Sequence, residues 1–235
     1  MLIGHFSDLH SELSVLIENT VEPHVWICTG DMMPNKTRGY REIEPRFQTD
    51  WFMSHREQIE GALRGIPLIW VSGNHDYVDL AELLRRYSGL KTWSIDPSTV
   101  IEYKGVRFAG FPGIPYIAGE WNHEIHQHDF VQLVNQALDH RPDVLLTHAP
   151  PDGILSGPAY IPGIKALTHQ LMYREDARPK AHLFGHIHEH GGMSARLGPA
   201  NTLFVNSSCN LQFVRVTHTE ARIETHENHN ARADA

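Results

Sequence analysis

Five short segments of the chain bring carboxylate, carboxamide and imidazole side chains into close spacing: Asp8-Leu9-His10, Gly30-Asp31, Gly73-Asn74-His75-Asp76, Thr147-His148-Ala149-Pro150 and Gly185-His186-Ile187-His188. In an extended segment residues i and i+2 project to the same side, so Asp8 and His10 can reach one ion together, as can His186 and His188. Carboxylates, one amide and several imidazoles, with no thiolate among them, suit Mn²⁺, Fe or Zn²⁺ better than a Cys-rich structural zinc site. Ca²⁺ and Mg²⁺ rarely call for so many imidazoles. Asp8, His10, Asp31, Asn74, His148, His186 and His188 are more donors than one ion takes, whereas two ions roughly 3.5–4 Å apart and sharing a carboxylate would use them all. His75 is then not needed as a ligand and is the candidate to protonate a leaving oxygen. Asp76 is left either to orient that imidazole or to brace the turn.

Such a set needs elements that carry distant residues to one place. Each motif follows an apolar run rich in β-formers, at residues 2–6, 25–28, 66–71, 143–147 and 182–184, and ligands of open α/β sheets gather beyond the carboxyl ends of the strands. Helical spacing predicts a helix from Ser11 with Leu13, Leu16 and Ile17 on one face. A second is predicted over 46–64, where His55 lies on an apolar stripe and reads as a packed core histidine. Others carry Leu80, Leu83, Leu84 and Tyr87 up to Gly89, then Phe130 to Leu138, then Ile164, Leu167 and Leu171. Segments 99–103 and 106–110 flank Lys104-Gly105, a hairpin signal that adds an antiparallel element. Short strands are expected near 193–197, 202–206 and 211–216. The expected domain covers 1–220, with 221–235 a polar, disordered tail.

The order and wording of the five motifs resemble the calcineurin-like metallophosphoesterase superfamily over residues 8 to 188. The resemblance implies an α/β fold, a four-layer α-β-β-α sandwich of two mixed β-sheets flanked by helices. It also implies one metal held by Asp8, His10, Asp31 and His188 and a second by Asp31, Asn74, His148 and His186, with Asp31 bridging. The protein-phosphatase branch has Asp-Arg-Gly soon after its Gly-Asp, and this chain instead reads Met32-Met33-Pro34-Asn35. Small phosphodiesterases, including the class III cyclic-nucleotide enzymes and the brain metallophosphoesterases, look more similar. The expected activity is a dinuclear-metal phosphodiesterase acting on small phosphodiesters or nucleotides, by in-line attack of a hydroxide held between the ions. A phosphomonoesterase or a nuclease on single-stranded ends would use the same site, and a non-catalytic scaffold would have no need of the complete set.

Composition narrows the partners. With 235 residues, 41% of them hydrophobic, one sizeable core is expected, and a formal charge of −8 argues against a surface that coats duplex nucleic acid. No apolar stretch reaches the ~18 residues of a membrane span, and Met1-Leu2-Ile3-Gly4-His5 does not begin a secretory signal. Cys28 and Cys209 are too few for a disulfide framework, read as buried thiols, and fit a reducing, cytoplasmic setting. Specificity falls to the loops. Arg38, beside Lys36, Arg41 and Arg46, is a candidate grip for a second phosphate, and Trp121 is a candidate to stack on a base. His123 is a candidate at the rim of the pocket. Oligomeric state is left open.

Overall fold

Strand Leu2–Ser7 (β1) is buried along its whole length, with Leu2 and Phe6 in one apolar cluster and Ile3 in another, so both of its faces are covered. The computed structural model describes residues 1–37, 41–176 and 178–225. The remaining strands are Val25–Cys28 (β2), Leu68–Trp70 (β3), Thr92–Ser94 (β4), Val100–Tyr103 (β5), Val106–Phe111 (β6), Ile114–Pro115 (β7) and Glu124–Ile125 (β8). They continue with Val144–Thr147 (β9), Ala181–Phe184 (β10), Ser194–Leu197 (β11), Thr202–Asn206 (β12), Asn210–Val216 (β13) and Ala221–Ile223 (β14). The helices are Ser14–Ile17 (α1), Glu44–Leu63 (α2), Leu80–Ser88 (α3), Phe130–Asp139 (α4) and Lys165–Tyr173 (α5).

One sheet has the order β14-β13-β1-β2-β3-β4 and the other β11-β12-β10-β9-β6-β5. Strands β1 to β4 run parallel, and β13 and β14 join antiparallel; β12, β10, β9 and β6 run parallel, with β11 and β5 antiparallel at the edges. Ile3, Val25, Ile27 and Ile69 from the first sheet meet Phe108, Val144, Leu146, Leu183 and Val205 from the second, forming the central apolar layer. On the far side of the first sheet Trp26, Cys28 and Trp70 pack with Phe52, Ile59, Leu63 and Leu84 from α2 and α3. On the far side of the second, Leu145, Phe184 and Phe204 pack with Phe130, Val134, Leu138 and Leu167 from α4 and α5. The molecule is therefore the expected four-layer α-β-β-α sandwich of two mixed sheets.

Local signals explain the element ends. Asp79 caps α3 by accepting the Glu82 N–H at 2.9 Å, and Gly89, at φ 64°, turns the chain out of it. The indole N–H of Trp26 donates to Leu63 O at 3.1 Å and pins the end of α2 to the sheet. The helix expected from Ser11 is a single turn starting at Ser14, because Asp8, His10 and Ser11 have φ of 53°, 44° and 83° and turn the chain away from helical geometry first. The sheet also runs past the expected boundary at 220. Strand β14 pairs with β13, and Glu224, its side chain buried, receives Arg215 through two 2.9 Å bonds. Positions 226–235 of the expected tail lie outside the described residues. Cys28 is buried as expected but Cys209 is exposed, since it occupies a turn at φ 54°. His55 is half-buried and stacks on Trp51 with ring centres 4.5 Å apart. Among the described residues no helix is long and apolar enough to cross a membrane.

Candidate metal centre

The parallel strands β1, β2 and β3 of one sheet and β9 and β10 of the other each end just before a donor residue, so all seven donors stand at the carboxyl edge of the sandwich. The backbone is bent to bring them together. Asp8, His10, Asp31 and His186 have φ of 53°, 44°, 56° and 70°, a left-handed conformation that non-glycine residues adopt at a cost of about 1–3 kcal/mol each. Two glycines allow the close approach: a Cβ on Gly73 would stand 2.1 Å from Asp31 Oδ1, and one on Gly185 would stand 2.1 Å from Asp8 Oδ2.

Donor atoms of Asp8, His10 and His188 lie within 4.8 Å of one another, as do those of Asp8, Asp31 and His148, and those of His10, Asp31 and His75. Asn74 Oδ1 is 3.0 Å from His148 Nε2, and the His148 and His186 rings are 5.1 Å apart, so the structure brings all seven expected donors to one place. His148 shows what the centre can hold. Its Nδ1 is 2.6 Å from Thr29 O, which can only accept, so Nδ1 carries the proton. Its Nε2 lone pair is then aimed at Asn74 Oδ1, 3.0 Å away, and Asp31 Oδ2, 3.2 Å away. Three lone pairs at such distances repel unless a proton or a cation stands among them.

Protonation alone is one answer: burial would lower the His148 pKa, but the Asp31 and Asp8 charges outweigh it and hold it up at about 10. A cation satisfies more of the site. Asp8 Oδ1, Asp31 Oδ2 and His186 Nε2 are all buried without a hydrogen-bond partner, and orphaned polar atoms at one point mark the place of an ion. Burial keeps His186 neutral by lowering its pKa to about 3, while neighbouring imidazoles outweigh burial and hold Asp31 well below the usual carboxylate range. Anionic carboxylates and neutral imidazoles are the forms that bind divalent metals, so the residues fit a metal centre. Asp8 is further held by bonds to its Oδ2 from His186 N at 2.8 Å and Ser208 Oγ at 3.0 Å.

His75 is beside this cluster, its ring 4.8 Å from His10 and 4.4 Å from Trp121. A cavity of about 450 Å³ opens here, lined by His10, Pro34, Asn35, Lys36, Thr37, His75 and Trp121. Asp76 does not orient the imidazole. Its Oδ2 accepts Gly73 N at 2.7 Å and Asp31 N at 2.8 Å, and the ring's partner is Asn35, whose Oδ1 faces His75 Nδ1. Glu124 binds the main-chain N–H groups of Ile117, Ala118, Gly119 and Trp121, which shapes the loop that carries Trp121. Arg41 adds bonds to the carbonyls of Gly119 and Trp121. His123 is mostly buried, which lowers its pKa, and it feels the charges of His148 and Asp31. Arg38 lies outside the described residues.

Sequence reasoning missed Asn35, Glu44, Gln48 and Ser208. Asn35 follows Asp31 by four residues and the other three carry no motif, so only their contacts reveal them.

Comparison with known proteins agrees with this geometry. The calcineurin-like phosphoesterase family profile matches residues 1–190. Among solved structures, one crystal structure superposes with a TM-score of 0.59 at 14% identity, covering 95% of this chain and 98% of its own. A dimetal phosphatase from Danio rerio superposes with a TM-score of 0.56 at 10% identity, covering 96% and 98%. No curated protein matches the chain. Likeness at such low identity concerns the fold alone, whereas the profile covers most of the chain and all five motifs. The chain belongs to the calcineurin-like phosphoesterase family, whose members are metal-dependent phosphoester hydrolases with a dinuclear centre.

Proposed function

We propose that the protein is a phosphodiesterase that hydrolyses small phosphodiesters or nucleotides. The supporting observation is that His10 of the donor cluster, His75 and the Trp121 indole line one open cavity, which gives a phosphoryl group's organic substituent somewhere to lie beside the donors. In this reading Asp8, His10, Asp31 and His188 hold one divalent ion and Asp31, Asn74, His148 and His186 the other, with Mn²⁺ the first expectation and Fe or Zn²⁺ the alternatives. Bound there, the ions would make water acidic enough to attack phosphorus near neutral pH and would offset phosphoryl charge.

The chain's own residues do the rest. His75 gives a proton to the leaving oxygen, a contribution on the order of 10²- to 10⁴-fold. Trp121 presents a flat apolar wall to the leaving group, and Lys36, on the same cavity, presents a cation. Asp76 braces the Asp31 and Gly73 turns rather than touching the reacting atoms. Arg38 and His123 are proposed at the periphery, for a second phosphate and for the rim of the pocket. Cys28 and Cys209 are unpaired, which suits a reducing, cytoplasmic setting.

The test compares Mn²⁺-loaded protein on bis-nitrophenyl phosphate, nitrophenyl phosphate, a 2′,3′-cyclic nucleotide and a short oligonucleotide. The expected order places the small diesters first in kcat/KM. A monoester or oligonucleotide preferred by tenfold or more would overturn the reading. His75→Ala is expected to retain its metal, read by plasma emission spectroscopy, while losing turnover.

A further inference from the structure

A neutral histidine ring carries its proton on either nitrogen, and a ring that acts as a general acid gives up the proton on the nitrogen facing the substrate and keeps the one on the other. In this chain a short polar chain makes that choice. Asn35 Nδ2 donates to His75 O at 3.0 Å and faces Glu44 Oε2 at 3.4 Å, so the amide is oriented with its nitrogen toward two acceptors. Its oxygen therefore faces His75 Nδ1, and since a carbonyl oxygen only accepts, Nδ1 must carry a proton. Nε2 is then the nitrogen that takes up a second proton, and in the imidazolium so formed that Nε2 proton is the one the ring can give to a leaving oxygen, while Nδ1–H stays on Asn35.

Glu44 gives this arrangement its rigidity. Its buried carboxylate also accepts Lys36 N at 3.0 Å, Thr37 N at 2.7 Å and Thr37 Oγ1 at 2.9 Å, which ties the loop holding Asn35 to the first turn of α2. One helical turn on, Gln48 donates to His75 O at 2.6 Å and accepts Tyr77 N at 2.8 Å, so the same helix face holds the other side of the His75 loop. Residue 35 must accept from an imidazole and donate to a carboxylate at once. Among side chains of that size only an amide does both: aspartate would set a second carboxylate against Glu44, and alanine would do neither.

We propose that Asn35, anchored by Glu44, is a positioning residue that keeps a proton on His75 Nδ1, so that the imidazolium gives its Nε2 proton to the leaving oxygen and the ring is left as the Nδ1–H tautomer. The proposal rests on the reading of His75 as the general acid, and it can fail separately from that reading.

The experiment has two arms on wild type, Asn35→Ala and the double variant Asn35→Asp/Glu44→Gln, in which the donor and acceptor exchange places. In metal-free protein, two-bond ¹H–¹⁵N correlation spectra, with the His75 signals assigned by their loss in His75→Gln, read the tautomer directly. Wild type and the double variant are expected to show Nδ1–H, and Asn35→Ala to gain a large Nε2–H population. In the loaded enzyme, a series of aryl phosphodiesters reads the dependence on the leaving group. Asn35→Ala is expected to lose about tenfold or more on a phenyl ester relative to a nitrophenyl ester, with metal content kept and the double variant recovering most of the loss. An Nε2–H tautomer in wild type, or an unchanged tautomer in Asn35→Ala, would overturn the assignment whatever the kinetics. If the tautomers behave as expected but His75→Ala is no more sensitive to the leaving group than wild type, the general-acid reading falls, and with it the catalytic use of the positioned ring.

Discussion

A buried carboxylate that accepts two main-chain N–H groups braces a turn, and Asp76 does so for the two turns that carry Asp31 and Asn74. Burial and the Asp31 charge push its pKa well above the ordinary carboxylate range, so the bonds it accepts matter more than any charge it could lend to His75. Asp76→Ala would orphan both N–H groups at about 1–3 kcal/mol each. Asp76→Asn keeps an acceptor oxygen in place. The alanine variant is therefore expected to lose about 2–6 kcal/mol in urea unfolding, while the asparagine variant keeps most of its stability and its activity. Loss of activity in a stable Asp76→Asn protein would return Asp76 to the reacting centre. The carboxylate was readable from the motif, but not which of its two roles it fills, because that depends on where Asn35 lies.

Helices and strands were legible in proportion to how far local pattern alone shapes them. Helix α3 is the clearest case, since the cap at Asp79 and the left-handed Gly89 bound a strongly amphipathic segment. Asp79→Ala and Gly89→Ala should each cost about 1 kcal/mol and should add within a few tenths, as distant sites do. Chemical denaturation of the two single variants and the double variant checks this, and a strong departure from additivity would mean the helix ends communicate. Helix α1 was misread because its apolar spacing gives no hint of three preceding left-handed residues. Strand β14 was missed for a related reason, since a three-residue edge strand is defined by its partner rather than by its own pattern. The five strand tips were visible because buried parallel strands are continuous apolar runs. The Glu44–Asn35–His75 chain was hidden because it joins an irregular loop, a helix start and a strand tip.

For the molecule as a whole, burial of neutral histidines predicts acid sensitivity. His5, between Thr29 Oγ1 and Ser207 Oγ, and His182, beside Thr147 Oγ1, have pKa values lowered to about 3 by burial. Below about pH 6.5 the unfolded chain binds protons that the folded chain refuses, so stability falls as pH drops from 6.5 toward 3, by up to about 1.4 kcal/mol per pH unit for each histidine. Urea titrations of metal-free protein should show this slope, and His182→Gln should flatten it by nearly one proton; an unaltered slope would place the sensitivity elsewhere. Divalent metal is expected to raise Tm, since it binds only the folded chain. Asp8, His10, Asp31 and Asn74 follow strands of one sheet, and His148, His186 and His188 follow strands of the other. In the proposed ligand sets neither slab holds all four donors of either ion, so turnover is expected only when the two slabs dock in register. During refolding, circular dichroism should recover ahead of turnover, and any lateral slip of one slab past the other would silence the enzyme while leaving its secondary structure whole.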